Sequence, residues 1–138
     1  MLLKRLLATF AYTVISMLIA VPWHLGWFKQ QYHDFGVYTR ADPIIPLGMA
    51  TMLIQGGVMA WLYPRWYRGG TPALEGTKFA LLFGVFLYSA STLATIAKVA
   101  VADPWQFVLL SGIFHALQFG LCGAAIGLVF GRLDTKTA

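Results

Sequence analysis

Charge is what this sequence has least of. Ten Lys and Arg and five Asp and Glu make up 11% of its 138 residues, against about 25% in an ordinary water-soluble domain. A fully hydrated surface cannot be built from so few ionic groups. The shortage is also local, because residues 6–28, 43–64, 79–97 and 104–131 contain no charged side chain. Those four runs hold no carboxylate, so acid–base chemistry within them would rest on His115 alone, without an orienting acid for a Ser111/His115 pair. No enzyme is therefore expected. The single cysteine, Cys122, rules out an intrachain disulfide. There is no internal repeat and no low-complexity segment. The net charge of +5 is scattered among the connections, which argues against a nucleic-acid surface.

Apolar residues are what is there, at 59% of the chain. Each uncharged run is near or above the roughly 18–20 residues that cross a hydrocarbon core. The expectation is an all-α membrane protein, a four-transmembrane-helix bundle forming one domain over 1–138, with helices at about 5–28, 46–64, 76–101 and 104–131. The start, "MLLKRLLATFAYTVISMLIAVPWH", has the basic and apolar parts of a signal peptide. Its apolar run continues to Phe28 without a small-x-small site, so it reads as an uncleaved first helix. Pro22 should kink the last turn of that helix. Asp103 and Pro104 read as N-cap and first residue of the fourth.

The basic residues set a direction. Lys4, Arg5, Arg65, Arg68, Lys78, Arg132 and Lys136 belong to one side and Lys29, Arg40 and Lys98 to the other. Seven against three places both termini in the cytoplasm by the excess of Lys and Arg in cytoplasmic loops.

Polar side chains in lipid usually mark the protein-facing side of a helix. In the fourth helix Ser111, His115, Gln118 and Cys122 share one stripe at helical period. Gly84, Tyr88, Ser91, Thr95 and Lys98 do so in the third, Thr9, Thr13, Ser16, Ala20 and His24 in the first, and Gly48, Thr51 and Gln55 in the second. Counted inward at about 1.5 Å per residue, Ser16, Gln55, Ser91 and His115 lie on the order of 12–15 Å from the outer ends. They form a polar midplane layer, with Gln118 one turn further in. Lys98 and His24 stand above it as an outer mouth. Such a layer serves either as interhelical hydrogen-bond glue or as a ligand site.

His24, His33 and Asp34 match no metal-ligand spacing, so no metal site is expected. A bis-histidine haem would need a second histidine at the depth of His115, and the others lie near the outer edge. The residues name no cofactor. A second stripe of the fourth helix, Gly112, Ala116, Gly123, Gly127 and Gly131, has the small-xxx-small pattern that lets backbones approach. Gly123, Gly127 and Gly131 are its candidate packing interface, either against the third helix or against another chain.

The four-helix layout, "LYPRWYRGG" after the second helix and "FHALQFGLCGAAIGLVFG" in the fourth resemble small uncharacterised four-helix bacterial inner-membrane proteins, mostly over 45–131. The resemblance implies an inner-membrane setting and brings no activity with it. Two functions follow as expectations. The first is a non-enzymatic membrane subunit that acts by helix–helix assembly, with the lipid bilayer and other membrane chains as partners. The alternative is a small transporter, channel or ligand-binding bundle with its polar site around His115.

Overall fold

The computed structural model describes residues 1–131, and Arg132 and Lys136 of the basic side lie outside them. The described residues are helices and connections without strands, and four of the helices are long and apolar enough to cross a membrane. Helix α1 is Leu2–Pro22, and it runs on through a π-helical turn, Trp23–Trp27. Pro22 thus does not end the helix. The chain widens directly after it, and the Phe28 amide reaches the Trp23 carbonyl at 3.1 Å, an i to i+5 bond.

A short helix α2, Lys29–Asp34, follows. It lies in the connection between the first two expected helices, 5–28 and 46–64. Helix α3 is Ile45–Trp66, two residues longer at its end than expected, with Pro64 inside its last turn. Helix α4 is Pro72–Tyr88 and begins four residues earlier than expected, because Pro72 supplies a preset first position. It continues through a second π turn, Ser89–Leu93, into the single turn α5, Ala94–Ile96. The span therefore stops at Ile96 and not near 101. Helix α6 is Pro104–Phe130. Asp103 caps it, accepting the Gln106 amide at 3.0 Å, and Gly131 closes it at φ 64°, where a side chain would be strained.

The closest helix pair is α4 against α6. A Cβ on Gly127 would overlap the Pro72 carbonyl, and one on Gly123 would overlap the Gly76 carbonyl and lie 2.9 Å from Thr77 Cα. Both glycines are therefore buried within the chain, against the third long helix. Gly131 is not part of this contact. It sits beyond the helix end with nothing within 4 Å of its Cβ position.

Helix α1 packs on both α3 and α6, and Gly56 of α3 lies so close to Tyr12 that a Cβ there would meet its ring at 3.0 Å. Helix α3 leans on α1 and touches α4 and α6 only sparsely. Side chains collect in two cores. One, around Tyr12, Met59, Tyr63, Phe119 and Phe130, closes the end where Lys4 donates to the Phe130 carbonyl at 2.7 Å. The other, around Trp23, Tyr32, Phe35, Phe107 and Phe114, closes the opposite end. The gap left by α3 lies beside this second core.

Candidate functional site

The space that α3 leaves open is a cavity of about 910 Å³. This is within the size range of small-molecule sites, about 300–1,000 Å³. Each long helix contributes to its wall: His24 from α1, Thr51 and Gln55 from α3, Ser91 and Thr92 from the π turn after α4, and His115 and Gln118 from α6. Residues of the segment from Val37 to Ile44, Arg40 and Asp42 among them, also line it. Apolar side chains, among them Leu47, Met52, Leu87, Phe107, Phe114 and Phe119, fill most of the remaining lining.

The residues expected in one polar layer separate into two groups. Gln118 of α6 donates to Ser16 Oγ of α1 at 3.1 Å and to the Tyr12 hydroxyl at 3.5 Å. Tyr12 in turn donates to Gln55 Oε1 of α3 at 2.8 Å. Ser16 Oγ lies 3.4 Å from Cys122 Sγ, and that thiol reaches the Tyr12 carbonyl at 3.6 Å. One proton assignment accounts for these contacts together: Gln118 to Ser16, Ser16 to Cys122, Cys122 to the Tyr12 backbone, and Tyr12 to Gln55. Ser16, Tyr12 and Cys122 have no exposed surface. Closed in this way, the network ties α1, α3 and α6 together beneath the cavity.

The second group is open. The His115 ring places Nδ1 2.7 Å from the Ser111 carbonyl and Nε2 3.4 Å from Ser91 Oγ. A carbonyl oxygen only accepts, so Nδ1 carries the proton, and in the uncharged ring Nε2 offers a lone pair. The His24 ring repeats the arrangement from α1, with Nδ1 3.1 Å from the Ala20 carbonyl. Phe114 lies between the two, its ring centroid 4.4 Å from that of His24 and 5.5 Å from that of His115. The π turns put both sides of this arrangement in place, since His24 sits on one and Ser91 on the other. Wide turns of this kind recur at functional sites.

His24 therefore lines the cavity itself, in contact with Phe114 and with Tyr32 at 4.6 Å. Lys98 does not join it. It is exposed in the turn after Ile96 and absent from the cavity wall. Its stripe assumed an unbroken α-helix to 101. The π turn shifts the register and the helix ends before reaching it.

Two participants went unrecognised in the sequence. Tyr12 stands three residues after Thr9 and four before Ser16, on the polar face of α1, where only its aromatic body hid its hydroxyl. Tyr32 accepts from Trp23 Nε1 at 3.2 Å and sits in the cavity wall. Burial pushes its hydroxyl up from the ordinary value of 10, and the Trp23 bond pulls the other way. It is thus a neutral group at working pH. No sequence signal placed Tyr32 here, because it depends on how α2 folds back.

Among the described residues, no three His, Cys, Asp or Glu side chains gather closely enough to hold a metal ion. What remains is suited to binding: a mainly apolar chamber, ring nitrogens that accept, and hydroxyl and amide groups that donate. No family model, curated protein or solved structure matches the chain.

Proposed function

We propose that this chain is a non-enzymatic, multi-pass membrane protein that binds a lipid-soluble small molecule between its helices. The four helices form a bundle in the bacterial inner membrane with both termini cytoplasmic, following the excess of basic residues at that end. The cavity then opens near the outer leaflet. The observation that carries the reading is the cavity of about 910 Å³. Its walls are mostly apolar, and among the polar groups that line it His115 and His24 each spend Nδ1 on a carbonyl of their own helix and leave Nε2 without a short hydrogen bond. The assembly reading drew on the glycine face of α6, the near absence of loops and the lack of a catalytic set, and the first of these is met within the chain. Gly123 and Gly127 are packed on α4 within the chain, which favours the binding reading over it.

The test is retention of a guest. Native mass spectrometry of the protein, extracted in mild detergent and incubated with the apolar probe 1-phenyldodecane, should show a one-to-one adduct. Met52→Trp, which fills the cavity from α3, should abolish the adduct without changing the far-UV circular dichroism. A wild-type protein that takes up no probe, or a folded Met52→Trp variant that takes it up equally, overturns the proposal.

A further inference from the structure

The arrangement of His115 says which guests the cavity prefers. Its Nδ1 proton is held by the Ser111 carbonyl at 2.7 Å, so the ring meets the cavity with an acceptor. Ser91 Oγ, at 3.4 Å, is a long and weak partner for Nε2. A guest hydroxyl seated between them would donate to Nε2 and accept from Ser91, making two good bonds where one poor bond stands. A carbonyl or ether oxygen could accept from Ser91 but has no proton to give Nε2, so it makes one of the two bonds. Around this point the walls are aromatic. Phe119 lies nearly parallel to the His115 ring, at 9° and 6.1 Å, and Phe114 stands edge-on to it at 85°. The lining beyond, with Leu47, Met52 and Leu87, is aliphatic.

We infer that the cavity takes a membrane-soluble phenol, its ring held among Phe114 and Phe119, its hydroxyl donated to His115 Nε2 and its apolar tail along α3. This inference rests on the binding reading above and names its ligand class. The phenol is favoured over an aliphatic alcohol because its O–H is the stronger donor and its ring matches the aromatic wall.

Two probes that differ only in the donor decide it. 4-Nonylphenol and its methyl ether, 4-nonylanisole, are titrated into the detergent-solubilised full chain, and binding is read by isothermal calorimetry. The phenol should bind about tenfold more tightly than the ether, the worth of one net hydrogen bond. His115→Phe should reduce this preference to less than twofold, and Lys98→Ala, exposed and outside the cavity wall, should preserve it. The wild-type comparison needs no variant and stands even if His115→Phe fails to fold. Equal affinities for phenol and ether, both lost in Met52→Trp, overturn the phenol inference and leave the cavity reading intact. Failure of both probes and of 1-phenyldodecane overturns both. A preference abolished by His24→Phe and kept by His115→Phe overturns the assignment to His115.

Discussion

Gly76 and Gly123 meet with no side chain between them. A Cβ on Gly76 would overlap the Gly123 carbonyl and stand 2.7 Å from the Gly127 amide nitrogen. Both sides of this contact are backbone, which cannot swing aside as a long side chain can. In lipid, where there is little hydrophobic drive between helices, such close approach is a main source of helix association. The pair α4–α6 is thereby the most closely packed in the molecule, and α3 is held mainly by α1.

Substitution at this contact should therefore destabilise the chain itself. Gly123→Val is expected to cost about 1–3 kcal/mol, the usual range for overpacking, read as a lowered thermal unfolding midpoint in detergent. Gly120→Ala is the control, since nothing lies within 4 Å of its Cβ position. Removing a helical glycine there should stabilise by up to about 1 kcal/mol. If Gly123→Val keeps the wild-type midpoint and instead changes the oligomeric state, the face belongs to an interface between chains.

Tyr12 is the branch point of the buried network, reached by Gln118 and donating to Gln55. Tyr12→Phe keeps the ring against Phe119 and removes only the hydroxyl. Gln55 Oε1 and one Gln118 N–H then lose their partners. Interhelical hydrogen bonds in membranes average about 0.6 kcal/mol each, so a loss of about 1 kcal/mol is expected. Titration with a denaturing detergent measures it. Thr51→Ala, whose hydroxyl bonds only its own helix at Leu47, should cost less than half as much.

These residues also show how far the sequence could be read. The four apolar helices were visible because the uncharged runs are long, and Asp103–Pro104 marked the start of α6 by local chemistry that needs no tertiary context. Helical period put Ser91, His115, Gln118 and Ser16 on the polar faces of their helices, but it set Ser16 level with His115, whereas Ser16 bonds Gln118. Three features were hidden for a physical reason. The π turns after Pro22 and Tyr88 change the residues per turn and leave no mark in hydropathy. They moved His24 into the cavity wall and left Lys98 outside. The division of one polar layer into a closed network and an open pair depends on distances of a few tenths of an ångström. The cavity itself comes from α3 leaning on α1, a relationship between helices that neither sequence contains.

Cys122 reports on the closed network. It is fully buried, its thiol faces the Tyr12 carbonyl, and Ser16 covers it from α1. A thiol needs exposure and ionisation to react. N-ethylmaleimide should leave the folded protein unlabelled over an hour and label it completely after unfolding in sodium dodecyl sulfate. Ser16→Val should raise labelling of the folded state by loosening this contact. Prompt labelling of the wild type would mean that α1 and α6 are not packed as described.

The separation of the polar layer makes a sharper demand, because two neighbouring residues of one helix stripe should behave oppositely. Gln118 is 5% exposed and holds Ser16 and Tyr12. Gln118→Leu should lower stability by about 1 kcal/mol, yet alter the preference for 4-nonylphenol over its methyl ether little, since its donors are held by Ser16 and Tyr12. His115 holds one backbone carbonyl of its own helix and a distant Ser91. His115→Phe should leave the unfolding midpoint within about 0.5 kcal/mol of wild type, because no other helix depends on it for a good hydrogen bond. The same variant should weaken 4-nonylphenol binding about tenfold. Measuring unfolding and calorimetric binding on both variants separates the roles. If His115→Phe unfolds the protein while Gln118→Leu impairs only binding, the assignment of the two groups is reversed, and the site lies on the Tyr12 side of α6.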